Sequence, residues 1–524
     1  MLGVCIFATI SCTAKQKYEA EKVIQSPVWP ETVEISVDKF SQVIFVVKNT
    51  GDGDGSKSSP YGSISRAIED VIDENTAIFV AEGRYTEKTL HLKDGVNMFG
   101  GFDSLDWNRD VTENITELSG EGENRVLIAA EGSVIDGFTI SGGLIRGQGG
   151  GIYFKSVSPE ITNNVFINNK SLGPENWEPD YWHEMANDGG AIYFEGDASP
   201  LIKNNHFITN KTENGRGAGI ACNDRCNPVI RNNVFFGNIS GLDDPMRSSD
   251  GGAISIFDWG NADIRNNVFL SNTADNRNDA GAIFIALWSS AEISNNLFVD
   301  SEAGDDAGAL FVGGQEHRYD KPLDPIPPED EFYVAIHDNT FIGNHNSSKN
   351  SGAIRFTMES RGEFVKNITA LNNGVYFQRS EVAVNNNIIL DNFLFLETKE
   401  GLGFGSIVDN LIWADFDLRV DAEVRDNNMY DLYDASSNYK EKPEFKDDAI
   451  SITAFSTNWM RDEHYSEIYD PIREFEENEL VNRVIKSGDK YSVVISNTET
   501  MIKIWGDFSG RSQFTILPTY ILKE

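Results

Sequence analysis

Positive charge is what this chain has least of. Against 82 Asp and Glu it carries 44 Lys and Arg, a formal net charge of −38 over 524 residues. Nucleic-acid affinity rests on Lys and Arg neutralising phosphates, so this balance excludes a nucleic-acid partner. It also works against polyanionic ligands unless a divalent cation bridges them. Cysteine is scarce, with four in all. Cys222 and Cys226 face each other across an expected turn, but no further zinc ligands lie nearby. Long apolar runs are missing, so no segment is expected to span a bilayer as a helix. Between about residues 120 and 430 a helical period is missing as well, which excludes an all-α or α/β array there.

The apolar start, Met1 to Ser11, is too short to cross a membrane and reads as the end of a secretory signal peptide. Thr9-Ile10-Ser11-Cys12, followed by polar residues, resembles a loose bacterial lipoprotein cleavage site, with Cys12 as the lipidated residue. Export is therefore expected, either to the outer membrane on a lipid anchor or to the medium. In an exported protein Cys222 and Cys226 can pair as a disulfide. Residues 1–12 form this segment and 13–40 a polar linker.

What the chain has in abundance is repetition. Gly-Gly-Ala-Ile stands at 189–192 and 251–254, with variants at 149–152, 217–220, 280–283, 307–310 and 351–354. Between these runs Asn-Asn-x-Phe-x-x-Asn, from Asn163, Asn204, Asn232 and Asn266, weakening at Asn295 and Asp338. Repeats of this length predict a solenoid in which equivalent residues stack into rows. Each repeat offers short period-two runs separated by Gly, Asn or Pro turns, the pattern of short strands and tight corners. Ile161, Ile202, Ile230, Ile264 and Ile293 form one expected inward column, and Phe166, Phe207, Phe235, Phe269 and Phe298 another. The Asn pair suits a corner with one left-handed residue. Asn164, Asn205, Asn233, Asn267, Asn296, Asn339, Asn367 and Asn387 are expected as an internal amide ladder, extended by Asn410.

Upstream, a strand at Ser41–Val47 leads to Thr50-Gly-Asp-Gly-Asp-Gly-Ser56. An EF-hand counted from Asp52 would end on Ser63 rather than an acid, so this run reads as a turn. Ile64, Ala67, Ile68, Val71 and Ile72 then predict a short helix behind a Ser63 cap. Lys48 to Gly55, Pro60-Tyr-Gly-Ser-Ile, Val80 to Glu87, Gly100-Gly-Phe-Asp103 and Trp107-Asn-Arg-Asp110 resemble the opening of secreted right-handed parallel β-helix proteins, the pectate-lyase-like superfamily. The Gly-Gly-Ala-Ile and Phe-x-x-Asn alternation resembles the repeats of polymorphic outer-membrane proteins. The resemblance implies an all-β, right-handed parallel β-helix of about ten coils, with a short N-terminal helix cap and a small C-terminal β cap. The expected units are a β-helix over 41–440, an acidic linker over 441–475 and the cap over 476–524.

Chemistry is expected at one corner, between Phe-x-x-Asn and the next Gly-Gly-Ala, where most insertions fall. The longest, Lys170–Asn187, carries Trp177 and Trp182. The residue before each glycine phrase forms a column, Gln148, Asp188, Arg216, Asp250, Asp279, Asp306 and Asn350. Stacked carboxylates raise one another's pKa or recruit a cation. Asp250, Asp279 and Asp306 are thus the candidate metal ligands, with calcium the fitting ion. As an alternative, they cap turn N–H groups. The outward column Tyr153, Tyr193, Ala221, Ser255, Phe284, Phe311 and Arg355 offers rings against which a saccharide could stack. With Trp177 and Trp182 these are the candidate substrate contacts, unless loops cover them as a secondary core.

Two functions follow. One is a non-catalytic, exported, monomeric adhesin or carbohydrate-binding rod whose partner is an extracellular polysaccharide or cell-surface glycan. The other is a calcium-dependent polysaccharide lyase, with Arg216 as base, or a glycoside hydrolase using two of Asp250, Asp279 and Asp306. The first is favoured. The columns repeat, whereas a catalytic site breaks a repeat at one place, and no catalytic motif stands out.

Overall fold

In the computed structural model the described residues are 32–51, 53–173, 187–242, 249–275, 277–314, 332–347, 352–391, 394–397, 407–413 and 443–521. Successive short strands stack in four parallel sheets of 13, 12, 7 and 11 strands. One coil shows the path. Ile192–Glu195 lies in the 11-stranded sheet 4, Leu201–Lys203 in the 13-stranded sheet 1, His206–Ile208 in the 12-stranded sheet 2 and Lys211–Thr212 in the 7-stranded sheet 3. Ile220–Asn223 then re-enters sheet 4 beside Ile192–Glu195. Register is strict, with Phe166 beside Phe207 and Ile161 beside Ile202.

Thirteen strands exceed the expected ten coils, because the motif-poor segment before residue 140 coils too. Gln42–Val46 and Thr76–Ala81 already belong to sheet 1. At spacings of ~4.8 Å the stack is about 58 Å long. The helix Ile64–Glu69 buries Ile64, Ala67 and Ile68 in the main core, covering the first coils as expected. Ser63 accepts from the Arg66 N–H as its N-cap. Residues 32–40, expected as linker, include Ile35 and Phe40 packed on the outer face of sheet 1 against Phe79 and Phe99.

Inside, the Phe column stacks ring on ring. Centroids lie 4.8, 4.7, 4.9, 4.7 and 4.5 Å apart from Phe166 through Phe207, Phe235, Phe269 and Phe298 to Phe341. At the corner between sheets 1 and 2, the first Asn of each pair is left-handed, with φ of 55° to 57° at Asn163, Asn204, Asn232 and Asn266. The second Asn points inward. The Asn233 Oδ1 accepts from the Asn205 backbone N–H at 2.9 Å and its Nδ2–H at 3.1 Å. The Asn233 Nδ2–H donates to the Ile202 carbonyl at 3.0 Å. The pattern repeats from Asn164 to Asn410, and every corner polar group it touches is satisfied without water.

A second ladder, not expected from the sequence, runs up the next corner. Asn169, Asn210, Asn238 and Asn272 repeat the same bonds. Ser301 interrupts it, Asn344 and Asn372 resume it, and Asp391 closes it. Its signal was present in the last Asn of Asn-Asn-x-Phe-x-x-Asn.

The closing β unit differs from expectation in extent and position. It spans 443–521, and the supposed linker 441–475 contains the strands Ile450–Thr453, Ser456–Met460 and Tyr465–Tyr469. Its seven strands are antiparallel around a core that includes Ile468, Ile485, Ile504 and Phe514. It lies along the solenoid's flank. Val484, Val493, Trp505 and Leu517 pack on Ile208, Val234, Val268, Leu297 and Ile342, the outward face of sheet 2. The reason is visible in the repeats. Val-Phe-Leu and Leu-Phe-Val are apolar on both faces of the strand, so the outer face must be covered as well as the inner one.

Candidate functional site

The expected site lies at the corner between sheets 3 and 4. Gly251 turns this corner with φ 78°, and a Cβ there would meet the Ile254 carbonyl oxygen at 2.4 Å. The residue before it therefore projects from a fixed position in every coil. The Asp column uses that position to stitch coils together. The Asp188 Oδ1 accepts the Arg216 N–H at 2.7 Å, the Asp250 Oδ1 the Asp279 N–H at 2.8 Å and the Asp279 Oδ1 the Asp306 N–H at 2.9 Å. The structure thus realises the alternative in which these carboxylates cap backbone N–H groups.

Both ends of the row carry an arginine. Arg216 is 2% exposed, bonds Asp188 Oδ2 at 2.7 Å and lies 3.6 Å from the centre of the Phe257 ring. A guanidinium held by a buried carboxylate keeps its proton, which removes Arg216 as a base. Arg355 pairs with Asp306 and with the Gln378 amide oxygen. Between them, Asp279 is half-buried as a residue. Desolvation first, then the Asp250 and Asp306 carboxylates, push its carboxyl well above the usual carboxylate range. Among the described residues, no group of three or more His, Cys, Asp or Glu is arranged to hold a metal ion.

The outward rings realise the alternative of a secondary core. Tyr193 is 1% exposed, Phe284 6% and Phe311 1%. Phe284 and Phe311 join Phe257, Ala280 and Ala307 in a satellite core, because rings stacked at the coil spacing bury one another. Tyr153 is half-buried, stacked on Tyr193 at 5.9 Å with the Arg125 guanidinium 4.8 Å from its ring centre. The Tyr153 and Tyr193 hydroxyls both donate to Glu195. Trp177, Trp182 and Cys12 lie outside the described residues. Cys222 and Cys226 are joined as a disulfide.

A surface feature that the repeats did not flag lies on sheet 2, beside the docked C-terminal unit. It is a cleft of about 580 Å³ lined by Arg84, Glu117, Ser119, Glu121, Ser141 and Ile167, among others. The Arg84 Nε lies 3.5 Å from Glu117 and its Nη2 3.5 Å from Glu121. The Arg84 Nη2–H also donates to Ser119 at 3.0 Å, and the Ser141 hydroxyl donates to Glu117 at 2.6 Å. Arg84 and Glu117 are register partners on neighbouring strands, as are Ser119 and Ser141. The only sequence signal is a change of outward residue, polar up to Ser141 and apolar from Val165 onward.

Residues 108–298 match the family described as right handed beta helix region. The chain carries a right-handed parallel β-helix. Remote structural likenesses include a GH136 lacto-N-biosidase from Eubacterium ramulus, at 12% identity over 72% of this chain and 68% of that one, with a TM-score of 0.33. A pectin methylesterase from Aspergillus niger matches at 10% identity over 78% and 92%, with a TM-score of 0.22. The Dettilon tailspike protein matches at 9% identity over 90% and 93%, with a TM-score of 0.27. Likeness this remote says nothing about what the β-helix does here. No curated protein matches the sequence.

Proposed function

We propose that the protein is an exported, non-catalytic β-helix rod that binds an extracellular glycan along its flank. One observation carries the non-catalytic part. At the corner where chemistry was expected, Asp188, Asp250 and Asp279 accept backbone N–H groups of the next coil, and Arg216 is locked against Asp188. Groups committed to folding are poorly placed to change partners during a reaction. Saccharide binding needs convergent polar groups in a concavity, which the sheet 2 cleft supplies.

A second reading, glycoside hydrolysis, is favoured by Asp279 alone. A carboxyl whose pKa is raised by burial and by two neighbouring carboxylates is the arrangement a general acid requires. One experiment separates the two. The protein is incubated with acidic and neutral polysaccharides, with Ca²⁺ or with EDTA. New reducing ends and the ultraviolet absorbance of unsaturated products are followed alongside binding. Binding without product is expected. Product that disappears in Asp279→Asn overturns the rod reading, and product lost only in EDTA restores the calcium-dependent lyase.

A further inference from the structure

We infer that the sheet 2 cleft is a saccharide site that accepts neutral oligosaccharides and rejects uronate-rich ones. This rests on the glycan-binding reading and adds a place and a ligand class to it.

The place follows from how sheet 2 is covered. From Val165 to Ala370 its outward residues are mostly apolar, with His206 and Thr340 the exceptions, and Val234, Val268, Leu297 and Ile342 pack with the C-terminal unit. The preceding strands, Gly83–Tyr85, Thr116–Ser119 and Thr139–Ser141, present Arg84, Glu117, Ser119 and Ser141 instead, and stay open as a cleft. From Arg84 to Ile167 the cleft crosses four neighbouring strands. At ~4.8 Å per strand spacing its length is about 14 Å, room for a short oligosaccharide.

The ligand class follows from charge. Two carboxylates face one guanidinium, and that guanidinium lies 3.5 Å from each of them. Among the residues that line the cleft no second cation stands to meet a uronate, a sulfate or a phosphate, and the whole chain carries a net −38. A polyanion entering here meets net repulsion. Sugar hydroxyls meet the reverse, because Glu117 and Glu121 can each accept a charge-assisted hydrogen bond from an O–H donor. Ile167, half-buried where the cleft meets the apolar cluster shared with the C-terminal unit, offers an apolar contact for the ring's C–H face. The hydrogen bond from Ser141 holds the Glu117 carboxylate before binding, which lowers the ordering cost.

The test is calorimetric titration of the full chain. The probes are gluco-, xylo-, manno- and chito-oligosaccharides on one side, oligogalacturonate and oligoalginate on the other. At least one neutral series is expected to bind, and the uronates are expected to bind at least tenfold more weakly. Glu121→Gln, on an exposed side chain that the fold does not need, is expected to weaken neutral binding on the order of tenfold. Glu117→Gln should do the same, with circular dichroism and the unfolding midpoint confirming that the fold is intact. Tighter binding of uronates overturns the ligand class. Neutral binding unchanged in both variants overturns the place while leaving the glycan-binding rod standing. No binding by any series overturns both.

Discussion

Asp391 is the sharpest place to test the ladder reasoning. It occupies the last position of the second ladder, where every earlier rung but Ser301 is Asn. Its carboxyl accepts the Asn372 N–H at 2.8 Å and the Asn372 Nδ2–H at 3.1 and 3.2 Å. Those bonds favour the ionised form, yet burial outweighs them and raises the pKa from 3.8 to about 6. The folded state thus holds a proton that the unfolded chain gives up near pH 4. Stability is unaffected by this group below that pH. It falls as pH rises from about 4 to about 6 and stays lower above that. A shift of about 2 units corresponds to about 3 kcal/mol. Asn is shaped like the protonated acid and cannot ionise. Its amide can donate to the carbonyl of the preceding coil, as each earlier Asn rung does. Asp391→Asn should therefore match the parent near pH 4 and exceed it by up to about 3 kcal/mol at pH 7.5. The assay is denaturant unfolding at both pH values, with the slope unchanged between proteins. Asp300, also raised to about 6 by burial, contributes a slope of the same sign, so the variant should flatten the pH profile only in part. Equal stability of the two proteins at pH 7.5 would refute the reasoning, as would a variant weakened at both pH values.

Arg216→Ala strands the Asp188 carboxylate in a buried site and should cost about 3–5 kcal/mol in denaturant unfolding; a loss below 1 kcal/mol would mean the pair is dispensable. Asn233→Ala leaves the Asn205 N–H and amide without their acceptor, and should lower stability by about 3 kcal/mol. Phe269→Ala opens a gap in the ring stack and should cost about 3–5 kcal/mol, read the same way. Removing residues 443–524 exposes the apolar face of sheet 2 and should produce aggregates seen by light scattering, whereas a monodisperse remainder would show the face needs no cover.

Much of the coil was legible because it is local and repeated. Left-handed Asn, inward Phe and inward Ile follow from spacing alone, and strict register turns each into a column. The chemistry was less legible. Asp250, Asp279 and Asp306 were seen as a row, but which oxygen meets which N–H depends on the neighbouring coil. Phe284 and Phe311 point outward from the strand, but whether they stay open or form a secondary core depends on the neighbouring coils, which bury them. The two Asn ladders differ in the same way. The first was found through its Asn-Asn pair, while the second rests on one Asn that looked like mere turn chemistry.

By itself, then, the sequence determined the periodic part of this protein: parallel strands, corner residues and a core stacked in rows. These depend on interactions between a residue and its own copies one coil away. Only the tertiary structure decided where the C-terminal unit lies and which surface remains open. That outcome depends on two faces far apart in the chain, both apolar, meeting along the flank. The polar strands they leave uncovered, around Arg84 and Glu117, became a cleft for that reason and not through any motif of their own.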